Sequence, residues 1–139
     1  MTVKQQPRSW VVCERGERWY RAVCRFASSD RKENSHFHVD RAPYESPGHV
    51  TTVTRARRGN VIVIWEIHAD LESDATKLDT IAMIRADWPR ATQLGWLPAS
   101  CSGLERLAVQ EAGIQVLLSD LASLQNFVPA LKRDAKAFG

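Results

Sequence analysis

The stretch that decides the fold is Val61-Ile62-Val63-Ile64-Trp65-Glu66-Ile67, an unbroken apolar run that reaches an acid only at Glu66. Its first four residues are Val and Ile in alternation, and β-branched side chains pack well on a pleated surface. A strand apolar at every position, rather than at every second one, is buried on both faces. That burial requires a parallel sheet covered by helices, and in such sheets chemistry gathers at the carboxyl ends of the strands. Glu66 therefore marks the edge where a functional site is expected.

Working outward, strands and helices alternate. Trp10-Val11-Val12-Cys13 reads as a strand that ends in the turn Glu14-Arg15-Gly16. Trp19, Ala22, Val23 and Phe26 recur at helical spacing and form one buried stripe. The polar segment 28–35 is a loop, and His36 to Val39 alternates as a second strand. Ser46 suits an N-cap and Pro47 the first helical position, with Gly59 as the C-cap and Val50, Val53 and Thr54 facing inward. The threonines weaken that helix.

After the central strand, Leu78, Ile81, Ala82 and Arg85 define a helix face, flanked by Ile84 and Trp88 and ended by Pro89. Thr92 to Leu97 is a strand in which Gly95 marks a close backbone approach. Ser102 to Ala112 is a helix capped by Gly113, Ile114 to Leu118 a strand, and Ser123 onward a last helix with Pro129 inside it. Five strand–helix units predict a doubly wound, flavodoxin-like α/β fold: a five-stranded parallel sheet of order 2-1-3-4-5 in a three-layer α/β/α sandwich.

The 139 residues fit one domain, spanning 1–139, with residues 1–8 as a flexible N-terminus. The 44% apolar and 25% charged fractions are those of a globular protein. No apolar run approaches the roughly 20 residues needed to cross a membrane. Met1 to Arg8 has no secretory pattern, which favours the cytoplasm as the expected compartment. Cys13, Cys24 and Cys101 have no metal-like spacing and are expected as free thiols. Met1 and a full last helix point to a whole chain.

The segment from Val61 to Arg133 resembles the receiver domain of bacterial two-component response regulators. Ile84-Arg85-Ala86-Asp87-Trp88-Pro89 is similar to the end of a receiver's third helix, and Glu111-Ala112-Gly113-Ile114 to the Ala-Gly corner before its fifth strand. Ser123-Leu124 and the aliphatic positions beyond are similar to its last helix, and the preceding residues match in pattern. The resemblance implies a phosphoacceptor place at the end of the third strand, which falls on Glu66, or on Trp65 if the register slips by one. Of the two metal-holding acids after the first strand, Glu14 matches one and Arg15 replaces the other. The Thr or Ser ending the fourth strand falls on Leu97, with Ser100 and Ser102 further along. The Lys ending the fifth strand is replaced by Ser119.

Phosphoryl transfer to a carboxylate needs a divalent cation and a cation on the phosphate. The departures therefore imply a degenerate pocket of Glu14, Arg15, Glu66, Leu97 and Ser119. Such a pocket is expected to hold no metal and no cofactor and to have no enzymatic activity. Arg15 is expected at the metal place, paired with Glu14 or Glu66, and Trp65 and Trp96 are expected to fill the phosphate pocket. The implied function is phosphorylation-independent signalling through protein contact. The partner would be a histidine kinase, a phosphotransferase or an effector, and the surface the fourth helix, fifth strand and fifth helix, which also suits a homodimer.

Other readings stay open. A small-molecule or flavin-like ligand suits the loops after Glu14, Glu66 and Leu97. Arg55, Arg57 and Arg58 are read as a solvated helix end, with nucleic-acid contact the third reading. His36 and His38 share a strand face but lack a third metal ligand. His68, Asp70, Glu72 and Asp74 form a polar loop in which Ser73 or Asp74 caps the next helix, with cation binding or acid–base chemistry as the competing role. Ser100, Cys101 and Ser102 lie in no nucleophile elbow and no histidine follows them, which excludes a hydrolase triad of that chain order. The glycine-rich phosphate-binding motifs are absent.

Overall fold

A computed structural model describes residues 8–28, 37–57, 60–68, 71–121 and 124. The strands are β1 (Arg8–Glu14), β2 (Phe37–Pro43), β3 (Val61–Glu66), β4 (Thr92–Trp96) and β5 (Val116–Leu118). The helices are α1 (Arg18–Ser28), α2 (Gly48–Ala56), α3 (Leu71–Asp87) and α4 (Gly103–Ala112). The five strands form one sheet of order β2-β1-β3-β4-β5, all parallel. This is the flavodoxin-like doubly wound order that the alternation of patterns requires. The last helix, expected from Ser123, lies outside the described residues apart from Leu121 and Leu124, as do Met1 to Pro7.

Val61 to Trp65 are all buried, because β3 lies between β1 and β4 and both its faces are covered. Alternate residues feed two cores. Val63, Trp65, Val11 and Cys13 join Val50 of α2, Ile81 and Ile84 of α3 and Val109 of α4. Ile62, Ile64, Trp10 and Val12 join Trp19, Ala22 and Val23 of α1, with Leu124. The side chain of Phe26, the fourth member of the expected α1 stripe, lies outside the described residues.

A buried polar post ties the first core to β4. The Trp65 Nε1 donates to Gln93 Oε1 at 2.9 Å, and Gln93 Nε2 donates to the carbonyl of Ile81 at 3.0 Å. Gln93 is 1% exposed, so these partners replace the water it has lost.

Several element ends differ from the sequence reading. β2 runs on to Pro43, since pairing with β1 from Arg8↔Phe37 to Glu14↔Pro43 recruits residues of poor strand propensity, and a strand end on the sheet's edge tolerates proline. The cap of α2 is Pro47 and no side chain caps it. Ser46 instead offers its carbonyl to the His49 N–H at 3.0 Å. Arg57 closes α2, and Gly59 lies outside the described residues. Thr54 bonds back to the Val50 carbonyl at 2.7 Å, which lets a threonine sit in the helix interior.

α3 begins at Leu71, so Ser73 and Asp74 lie within the helix rather than capping it. Its buried stripe is Lys77, Thr80, Ile81 and Ile84, whereas Ala82 and Arg85 are exposed. The inner face is thus rotated toward polar residues that the apolar pattern passes over.

α4 begins where expected. Ser102 accepts from the Glu105 N–H at 3.1 Å, and the Glu105 carboxylate accepts from the Ser102 N–H at 3.0 Å. The Ser102 backbone N–H first, and the Ser102 side chain second, hold the Glu105 carboxyl below its ordinary range. Gly113 closes the helix at φ 146°, and a Cβ there would meet Arg85 Cβ at 3.2 Å. β5 starts at Val116 rather than Ile114, because the Ile114 N–H is spent on the Val109 carbonyl at 3.3 Å. Gly95 is required where expected: a Cβ would lie 3.1 Å from Ile114 Cγ2. Among the described residues, no helix is long and apolar enough to cross a membrane.

Trp65→Phe shrinks the ring and also orphans Gln93 Oε1 by removing the indole N–H. It is expected to cost about 1–3 kcal/mol in urea unfolding, beyond what the ring change alone costs. A pH titration of the Glu105 carboxyl carbon by NMR should give a midpoint below that of a model peptide. A depressed carboxyl contributes stability above its unfolded value and loses it as pH falls through the folded one, so Ser102→Ala should move the midpoint up.

Candidate functional site

The parallel register brings the carboxyl ends of β1, β3, β4 and β5 into one row. Cys13 pairs with Trp65, Glu66 with Trp96, and Trp96 with Leu118. β3 ends at Glu66, so Glu66 and not Trp65 is the terminal residue. The connections from β1 and β3 leave in opposite directions, which makes this row the switch point of the sheet.

Glu14 is 3% exposed. Its two oxygens accept from the Trp19 N–H at 2.9 Å and the Tyr20 N–H at 2.7 Å. These are orphan donors of the first turn of α1, so a carboxylate from the preceding strand caps that helix and meets the positive end of its dipole. The acid expected near a metal place is committed to a backbone bond pair.

Arg15 is exposed, with its guanidinium 4.4 Å from the centroid of Tyr44. Among the described residues no ion pair joins it to Glu14 or Glu66. The expectation of a built-in Arg15 pair is replaced by a cation over an aromatic face, because Glu14 faces α1 and Glu66 has another partner.

That partner is His68: its Nε2 lies 2.9 Å from Glu66 Oε2. The backbone carbonyl of Glu66 accepts from Lys77 Nζ at 3.0 Å. Lys77 is 3% exposed, and its ammonium lies 3.2 Å from the Tyr44 ring centroid. A cation taken out of water gains most from a ring face and a carbonyl dipole. Tyr44, His68 and Trp96 form a chain of edge-to-face rings, with centroid separations of 5.6 and 6.0 Å.

Trp65 does not fill this end. Its ring is fully buried in the α2–α4 core and is turned toward Gln93, two residues back along β4. Trp96 stands at the end, on the opposite face of the sheet beside His68. Leu97 is buried beyond the end of β4, and Ser119 is exposed after β5. The structure thus gathers Glu14, Arg15 and Glu66 at adjacent strand ends, while Leu97 belongs to the core and Ser119 to the surface.

The remaining candidates separate. Arg57 pairs with Asp40 at 2.9 Å, Arg55 lies 5.9 Å from the Trp88 centroid, and Arg58 is outside the described residues. His38 is exposed and His36 is outside the described residues, as is Asp70. The side chains of Glu72 and Asp74 are likewise not described. Cys101 is buried and in no disulfide, and Ser102 is the cap of α4.

Sequence reading passed over Lys77 and Tyr44. Lys77 had a signal: it stands one turn ahead of Thr80 and Ile81 on the inner stripe of α3, where a lysine needs a reason. Tyr44 had none, since it follows a strand whose end was placed four residues too early.

No protein-family model matches the chain, and no curated protein matches it.

Glu14→Gln leaves one acceptor oxygen for two N–H groups. It is expected to cost about 1–2 kcal/mol and to raise amide exchange in the first turn of α1.

Proposed function

We propose that this chain is a phosphorylation-independent, receiver-like regulatory domain that works through protein contacts. The observation that carries the reading is Glu14. A receiver's metal-holding acid must offer oxygens to a cation, whereas both Glu14 oxygens hold the first turn of α1. Glu66, at the acceptor place, faces His68, and the place of the phosphate-binding lysine is the exposed Ser119.

The contact surface of this reading is α4 with β5. Leu104 is 80% exposed and Leu107 50%, one helical turn apart, and Val116 and Leu117 on the edge strand are half-buried. Paired exposed leucines beside a sheet edge suit a protein partner: a histidine kinase, a phosphotransferase, an effector or a second copy. A second reading, a small or flavin-like ligand at the sheet end, is favoured by the half-exposed rings of Tyr44, His68 and Trp96 around the switch point.

Amide NMR with Mg²⁺ and then beryllofluoride should move nothing near Glu14, Glu66 or β5. Saturable shifts there would mean a working phosphorylation site and end the proposal. Adding flavin mononucleotide to the same sample tests the second reading by shifts at Tyr44 and His68. Leu104→Glu with Leu107→Glu should abolish partner or self-association while changing stability by no more than about 0.5 kcal/mol.

A further inference from the structure

Side chains from four strand ends line up over the carboxyl end of the sheet. Tyr44 follows β2, His68 follows β3 and Trp96 ends β4. Their rings stand edge to face, with centroid separations of 5.6 and 6.0 Å, and all three residues are half-buried. An arginine closes each end of this row. The Arg15 guanidinium lies 4.4 Å from the Tyr44 centroid, and that of Arg18 lies 5.9 Å from the Trp96 centroid. Both arginines are exposed and belong to the β1–α1 connection, three residues apart. Their Cα atoms are therefore within about 10 Å of each other, short enough for both side chains to meet one small molecule.

Three hydrogen-bonding groups in this row are left open. Among the described residues, neither Arg15 nor Arg18 makes a hydrogen bond or an ion pair, and each guanidinium rests against rings alone. A guanidinium held against a ring keeps its N–H fork for a further partner. Glu66 stands beside His68 in the middle of the row. Its Oε2 meets His68 and its backbone carbonyl takes Lys77, whereas Oε1 has no donor among the described residues. The Glu66 side chain is 15% exposed, so water reaches that carboxylate only in part. The place a phosphate would take at the α1 N-terminus is filled, because Glu14 accepts from the Trp19 and Tyr20 N–H groups.

We propose that this end binds a small aromatic carboxylate that carries a hydroxyl or amino group. The carboxylate pairs with Arg15 and Arg18, whose planar forks match its two oxygens. The ligand's ring lies against Tyr44, His68 and Trp96, and its hydroxyl or amino group donates to Glu66 Oε1. Recognition depends on those contacts and not on the net charge of this end. A nucleotide or flavin phosphate is disfavoured, because Glu14 holds the backbone donors that a phosphate would use. A ligand cation is disfavoured, because Arg15 and Lys77 already cover the Tyr44 ring at 4.4 and 3.2 Å. This assignment rests on the second reading above, a small ligand at the sheet end, and narrows it to an unphosphorylated acid. The α4 surface takes no part in it.

The test is an amide and indole NMR titration of the full chain with para-hydroxybenzoate, para-hydroxyphenylacetate and para-aminobenzoate, each taken to millimolar concentration. At least one should give saturable shifts at the Trp96 indole, Tyr44, His68 and Arg15 to Arg18. Para-hydroxybenzamide, which lacks the charge, and benzoate, which lacks the donor, should each bind roughly tenfold more weakly or worse. That comparison uses the wild type alone, so it does not depend on how a variant folds. Arg15→Gln with Arg18→Gln should weaken the acid by a similar factor and leave the resonances of α3 and α4 in place. Arg90→Gln, an exposed arginine after α3, should change nothing. No saturable shift with any of the three acids overturns the proposal. So do shifts centred on α4, equal binding of acid and amide, or a double variant that binds the acid like wild type. Riboflavin and flavin mononucleotide in the same assay separate the two possible failures. If either binds this end and the acids do not, the small-ligand reading stands without the carboxylate. If nothing binds this end, both fall.

Discussion

The carboxylate of Glu14 under the first turn of α1 is the contact on which the functional end of the molecule depends. It joins the last residue of β1 to a helix that begins four residues later, and it fixes that helix against the sheet. With α1 held there, Trp19, Ala22 and Val23 close the second core, and the arginines fall on the outside. The same bond pair occupies the acid that a metal-dependent phosphoacceptor site would use. One interaction therefore bears on folding and on chemistry.

Two buried polar side chains place the helices of the other face. Gln93 links β4 to Trp65 and to the α3 backbone, and Lys77 links α3 to the end of β3 and to Tyr44. Both are almost wholly removed from water, so each holds its geometry through the cost of leaving a partner unpaired. Together they set the spacing between α3 and the switch point, where Arg15, Tyr44, Glu66, His68 and Trp96 meet. The cations there rest on aromatic faces and on a carbonyl.

The molecule presents two unlike surfaces on opposite sides of the sheet. α4 offers exposed leucines next to an edge strand, and α1 offers arginines. The sheet carries both without conflict, because helices on its two faces share no side chains.

The sequence by itself determined the sheet, its strand order and which strand lies in the middle. The continuous burial of Val61 to Trp65 and the strict alternation of strands and helices admit few other topologies. It also marked Gly95 and Gly113: Gly113 by the local turn that ends α4, Gly95 as a close approach, which Ile114 supplies. The candidate site was legible only as a row of strand ends, since the parallel order places Glu14 and Glu66 side by side whatever their side chains do. Tertiary structure alone decided their partners: Glu14 turned to α1, Glu66 to His68, Arg15 to Tyr44, and Trp65 away into the core. It also decided the reach of β2 to Pro43 and the burial of Lys77. These depend on contacts between residues far apart in the chain. Apolar periodicity is blind to them, because a buried polar group is stabilised by the partner it finds and not by its own hydrophobicity.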